Sequence, residues 1–479
     1  MKRRSFLAGM VAAGAAPWFA IGAPKRKRLV RIGLIGCGGR MAGSVEYGIL
    51  NFMCGPDEEI VCMCDPDPAA FDRVRAIVKE RQSAEAATKI RAFNDYREML
   101  DAVGESLDAV AIATPNHHHA PAALLAMQKG LHVYVEKPLA LTIEEVRILQ
   151  EQQRQSGVVI QVGNQGHSAE GMKRFVELVQ SGELGQIREV WAFDDRVNAM
   201  TYRPKSAPPP KGMDWNAWCG PAPLCDYYPA DGNFPALHPH DWHSWIGYGN
   251  GSIGNMGTHV LDPAFWALKL GNVNPTSVEA LDIAPGCPGS WAWRNTIRWQ
   301  FPGRAGLDPV TLYWYDGAKS KEYMSPKHLD HIGTFQQRNW QNLPPIVEQL
   351  EQRYNANLGA IGTIYVGEKG TLAFGPHGSG LRFLPDTLRQ TMGKVPKTLP
   401  RTKGLDHVGD WLRAVRDPFT PPSCDLDYSA PLATTVLLGN VAARAGKRRL
   451  EWDGTQVVNH PDANAYLKTT YRKGWELPE

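Results

Sequence analysis

With 479 residues, 43% of them hydrophobic and 21% charged, the chain has ordinary globular composition and length for more than one buried core. A formal net charge of only +3, with Lys25-Arg26-Lys27-Arg28 as the one basic run, excludes a nucleic-acid or anionic-membrane footprint. A small-molecule partner is the expectation that remains.

The chain begins Lys2-Arg3-Arg4-Ser5-Phe6-Leu7 and continues through an uncharged Ala/Gly-rich stretch with small residues at Ala20, Gly22 and Ala23. The stretch is weakly apolar and shorter than the about 20 residues a membrane span needs, so it reads as a twin-arginine signal peptide. Residues 1–28 are expected to be signal and basic linker, with the twin-arginine export machinery as a partner and the periplasm, or another exported destination, as the location. No cysteine precedes Cys37, which argues against a lipoprotein. The eight cysteines show no disulfide framework: Cys62 and Cys64 share one face of a strand, and Cys219 and Cys225 either pair or stay as free thiols.

From Leu29 the pattern is strand, glycine turn, helix, repeated, which predicts a parallel sheet with crossover helices over residues 29–160. Strands are predicted at Leu29–Ile35, Ile60–Cys64, Ala109–Thr114, His132–Val135 and Val158–Val162. Pro121 marks a first helical turn with Gly130 past the end, and Thr142 with Glu145 forms a capping box. A helix over Glu170–Gln180 opens a second domain, 161–479. A Pro- and Trp-rich tract, Tyr202–Trp245, has no periodicity and is expected to be irregular structure around a site. Strands at Ser277–Leu281, Thr296–Phe301, Val310–Tyr315, Gly362–Val366 and Thr371–Phe374 predict a large, mostly antiparallel sheet. Residues 319–358 read as an insertion of no evident role. The fold class is thus α/β: a Rossmann domain followed by an α+β substrate domain.

Gly36-Cys37-Gly38-Gly39-Arg40-Met41 sits at the end of the first strand, where glycines permit a tight turn and a helix N-terminus would meet a pyrophosphate. Met41 stands where the usual third glycine would be. Asp65 ends the second strand, placed to accept from ribose hydroxyls and repel a 2′-phosphate, so NAD is expected, with NADP, helped by Arg73, the lesser expectation.

Thr114-Pro115-Asn116-His117-His118-His119 and Glu136-Lys137-Pro138, at the ends of two successive strands, resemble the glucose-fructose oxidoreductase/inositol dehydrogenase/MocA family. The likeness continues through Asn164-Gln165-Gly166-His167, His238-Pro239-His240-Asp241-Trp242 and the run Gly251–Asp262 to Tyr471–Trp475. It implies a dinucleotide held by Gly36, Gly38, Gly39, Arg40, Met41, Asp65, Thr114, Pro115, Asn116, His119, Glu136 and Lys137. It also implies a substrate pocket lined by Asn164, Gln165, His167, His238, His240, Asp241 and Trp242. Lys137 would stabilise charge on the substrate oxygen, and His259 would take its proton, since a histidine's ordinary pKa of about 6.5 suits that exchange. Where the family commonly carries aspartate, this chain has Asn255, which binds but relays no proton. No metal is expected: His117, His118 and His119 are consecutive on one loop and rarely converge on one ion, and around His238, His240 and His243 the interleaved Pro239, Asp241 and Trp242 resemble the family's sugar-pocket tract.

These features lead to an exported NAD(P)-dependent oxidoreductase acting on a sugar or polyol, with the cofactor loaded before export and recycled while bound. The alternative is an NAD-dependent glycoside hydrolase of the same fold, working by oxidation, elimination, water addition and reduction. A non-catalytic exported sugar-binding protein is a third reading, motivated by Met41 and Asn255. A homo-oligomer is expected.

Overall fold

A computed structural model describes residues 29–231, 234–304, 306–325, 327–401 and 406–477. The twin-arginine segment lies outside the described residues. Six short strands, the central β1, β4, β5 and β6 almost wholly buried and the edge strand β3 exposed, build the first sheet: β1 Val30–Ile35, β2 Glu58–Cys64, β3 Arg91–Phe93, β4 Ala109–Ile112, β5 His132–Glu136 and β6 Ile160–Gly163. All pair in parallel in the order β3-β2-β1-β4-β5-β6. The near-continuous Val/Ile/Ala runs reflect burial on both faces, as parallel sheets require. The capping box predicted for Thr142 and Glu145 starts the helix Ile143–Ser156. A late helix, His407–Arg416, returns to this domain, packing Val408, Trp411 and Leu412 against Ile32, Leu34 and Tyr134.

One expectation fails at the first strand's end. No α-helix follows the glycine loop: the chain turns through residues 38–48 and reaches only a single 3-10 turn, Ile49–Phe52. Gly38, Gly39, Gly43 and Gly48 explain it, each carrying about 1 kcal/mol of helix penalty against alanine.

The second sheet has eight strands: β7 Ile187–Phe193, β8 Ser277–Ala284, β9 Arg294–Phe301, β10 Val310–Gly317, β11 Gly362–Gly367, β12 Gly370–Phe374, β13 Arg382–Leu384 and β14 Arg449–Glu451. Their order is β13-β12-β11-β7-β10-β9-β8-β14, antiparallel except where β7 meets β10. Two apolar helices, Gly251–Ala267 and Leu426–Ala445, lie in the core it shares with the Rossmann sheet. The 319–358 segment is part of this domain: its helix Pro345–Tyr354 covers Phe193, Ile364 and Ala373 of the sheet, and Thr334 bridges to Arg196. All eight cysteines are free thiols, Cys219 and Cys225 included. Among the described residues no helix is long and apolar enough to cross a membrane.

Candidate active site

The ends of β1, β2 and β4 open on one crevice. Gly36 has φ +82°, and a Cβ there would stand 2.7 Å from the Ala113 backbone, so only glycine fits the turn. Gly38 and Gly39 have nothing within 4 Å of where a Cβ would be, an open cradle of turn amides suited to a phosphate. Next to it, Thr114 Oγ1 and both polar atoms of the Asn116 side chain are buried without protein partners. Unpaired buried polar atoms beside a glycine cradle fit a dinucleotide, whose ribose and amide groups would supply the missing bonds. Asp65 has a further duty: its carboxylate accepts from Cys37 N at 2.7 Å and from Asp67 N at 2.9 Å, clamping the glycine loop. Burial raises its pKa, and these backbone N–H groups oppose the rise.

Other candidates are spent on holding the loops. Met41 is wholly buried in the core beside Leu34 and Ile49. Arg40 pairs with Glu136 at 2.9 Å, and Gln165 donates to the same carboxylate oxygen at 2.6 Å. The His119 ring lies between Pro138 O at 2.7 Å and Thr114 O at 2.9 Å, joining the loops after β4 and β5.

The helix Gly251–Ala267 crosses the ends of β5 and β6, and Asn255, His259 and Asp262 fall at i, i+4 and i+7 on one of its faces. Each meets a group from the first domain's strand ends. Lys137 Nζ donates to Asn255 O and Asn255 Oδ1, both at 2.8 Å; Asn255 Nδ2 donates to Asn198 Oδ1 at 2.9 Å. His259 Nδ1 lies 2.8 Å from Asn164 Oδ1, leaving Asn164 Nδ2 unpartnered. His167 Nδ1 lies 3.0 Å from Asp262 Oδ1, with its ring stacked on Trp266. Burial drives Lys137 down to about 7; Glu136 opposes this, while Arg196 and Arg40 push the same way. Ammonium and amine forms of Lys137 therefore coexist near neutrality.

The Pro/Trp tract is the cover of the crevice. Trp218 O lies 3.0 Å from His117 Nε2 and 2.9 Å from His118 Nε2, and at Gly220, φ +50°, a Cβ would strike the His118 ring. Asp214 N donates to Pro66 O at 2.8 Å, and His238 Nε2 stands 3.2 Å from Asp67 Oδ2. His238 thus belongs to the β2 end of the crevice, far along from Lys137 in the strand order. Asp241 is buried on Ser244 Oγ at 2.7 Å and pushed up to about 8 by that burial. Trp242 lies over the His243 ring, 3.6 Å between centroids. His240 and His243 each keep a buried, unpartnered Nδ1. Burial, with His240, Lys137 and Arg196 adding to it, holds His243 well below its ordinary value, so its ring is neutral.

Four neighbours of this site are absent from the sequence reading: Asp194, Asp195, Arg196 and Asn198. They follow β7, a strand whose Ile187-Arg-Glu-Val-Trp-Ala-Phe193 alternation was a usable signal. The segment 319–358 supports them, with Gly333 O accepting from Val197 N at 2.8 Å.

Two family models match. Residues 30–164 match the NAD-binding Rossmann fold of the Gfo/Idh/MocA oxidoreductase family, and residues 185–298 match its C-terminal alpha/beta domain, together more than half of the chain. The chain belongs to the Gfo/Idh/MocA oxidoreductase family. It is therefore an enzyme of an NAD-binding oxidoreductase fold. Among curated relatives, an alpha-N-acetylgalactosaminidase of Shewanella oneidensis is 34% identical over 169 residues, 34% of each chain. An oxidoreductase of Rhizobium meliloti is 32% identical over 173 residues, 36% of this chain and 47% of its own. The chain thus matches about a third of the first relative's length. Among solved structures, the WlbA dehydrogenase from Bordetella pertussis, in complex with NADH and UDP-GlcNAcA, superposes with a TM-score of 0.56 at 18% identity, covering 89% of this chain and 99% of that one. An aldose-aldose oxidoreductase from Caulobacter crescentus gives 0.51 at 15% identity, covering 89% and 100%. At such identities these likenesses speak for the fold.

Proposed function

We propose that this Gfo/Idh/MocA protein is an exported NAD-dependent oxidoreductase of a sugar or polyol hydroxyl, keeping its cofactor bound through export and turnover. The observation that carries the reading is Lys137, half-buried at the strand ends and held by Asn255, which shares a helix face with His259. NAD, held by the Gly36–Gly39 turn, Asp65, Thr114 and Asn116, supplies hydride acceptance when bound. Lys137 steadies the substrate oxygen as its charge grows, and His259, oriented by Asn164, takes the hydroxyl proton. A Lys137 value near neutrality makes it a second acceptor for that proton. Asn255 fixes the ammonium through both its oxygen atoms. His240 and Trp242 contribute to the wall that closes over the sugar, His238 closes the cover at the β2 end instead, and a homo-oligomer is part of the proposal.

A second reading, the redox-neutral glycosidase, is favoured by the glycosidase relative and by two neutral rings, His240 and His243, with free nitrogen atoms able to exchange protons in an elimination. The test is to purify the exported protein, identify its dinucleotide, and add free sugars and then aryl glycosides. Reduced nicotinamide after a free sugar supports the oxidoreductase; aglycone release with unchanged nicotinamide absorbance supports the glycosidase. Neither response in a protein loaded with NAD refutes both.

A further inference from the structure

Arg196 is a cation whose charge draws down the neighbouring Asp194 and Asp195 carboxyls without an ion pair to either. Its Nε is buried with no hydrogen-bond partner, and among the described residues its guanidinium forms no ion pair. Its loop is nonetheless firmly placed. Thr334 bridges to Arg196, Val197 N bonds to Gly333 O, and Asn198 accepts from Asn255. Its charge pushes the pKa values of Lys137, His240 and His243 down. Two carboxyls stand near without pairing. Asp194 is fully buried and accepts from the Arg196 backbone N–H at 3.3 Å, and Asp195 leaves Oδ1 unpartnered. Burial holds Asp194 well above the usual carboxylate range and lifts Asp195 to about 6.

An unpaired, partly desolvated guanidinium is costly, and sugar hydroxyls would restore its hydrogen bonds but not its charge balance. A planar fork of donors matches a carboxylate bidentately. One guanidinium, with Lys137 spent on Asn255, His240 and His243 held towards neutrality and Asp195 close by, suits a monoanion better than the near-dianionic charge of a phosphate. We propose that Arg196 binds a carboxylate carried by the substrate, so that the site takes an acidic sugar, such as a uronic acid or its glycoside. This rests on the sugar-active reading above and narrows it.

The test is calorimetric binding to the full NAD-loaded protein of matched pairs: glucuronate and glucose, galacturonate and galactose, and mannuronate and mannose, each also as its methyl glycosides. In at least one pair the acid should bind about 10- to 100-fold more tightly, the usual worth of a charge-assisted hydrogen bond. Arg196→Gln should erase that preference while bound NAD stays, and Arg196→Lys should restore part of it. Neutral sugars binding as well as their acids in every pair overturn the carboxylate assignment alone, leaving the sugar oxidoreductase standing. An acid preference that survives in an NAD-retaining Arg196→Gln protein does the same. Should that variant fail to fold, the wild-type pairs still decide. Binding by no sugar at all overturns both readings.

Discussion

At the scale of single side chains, Lys137 and Asn255 are joined by hydrogen bonds, and the proposed chemistry rests on that pair. The sequence shows Lys137 after a strand and in a motif, but not that its Nζ spends two hydrogen bonds on Asn255. What looked like a lost proton relay at Asn255 is a cradle for the lysine. If neutral Lys137 accepts the proton, turnover rises with pH through about 7 and then flattens, because burial has brought the amine form within reach. In Asn255→Asp the added carboxylate favours the ammonium, so the limb moves to higher pH. A limb that stays put in Asn255→Asp but vanishes in His259→Ala assigns the proton to His259 alone. Asp65 carries a separate prediction. Asp65→Ala frees the glycine loop as well as the ribose end, so NAD retention falls and discrimination against NADP weakens; unchanged NAD content, measured after denaturation, contradicts both roles.

The elements were legible in the sequence where periodicity and caps agree. Strands β1, β4 and β5 and the capped helix at Thr142 are read from alternation, glycine punctuation and one side-chain pair. The three-residue β3 and β14 are too short for any period, and the glycine loop betrays its missing helix only through the sum of four glycines. Residues 319–358 gave no signal because their role is long-range: Thr334 and Arg196 are far apart in sequence. Two substitutions test elements. Thr142→Ala removes one N-cap bond and should cost about 1 kcal/mol in denaturant unfolding. Trp218→Ala should cost about 3–5 kcal/mol, since the ring is 2% exposed and stacked on Trp215. A cost below 1 kcal/mol there would mean that the Pro/Trp tract is not anchored as described.

Seen whole, the molecule sets its candidate site between two sheets, with the described residues of 202–231 and 234–245 laid over the strand ends. That cover touches the β2 end through His238 and Asp67 and the β4 end through Trp218, so a bound dinucleotide would be enclosed along its length. His238→Ala should therefore speed NAD loss during gel filtration, with the fold unchanged; equal retention would show that this contact does not hold the cover. The central claim is that the enclosed NAD is reduced by a sugar bound at Lys137, and single-turnover absorbance of the NAD-loaded protein tests it most directly. Adding a substrate from the panel of sugars should produce the reduced-nicotinamide band within one turnover, and Lys137→Met should slow its appearance by about two to three orders of magnitude while keeping bound NAD. A band that forms as fast in Lys137→Met as in the unaltered protein would contradict the account.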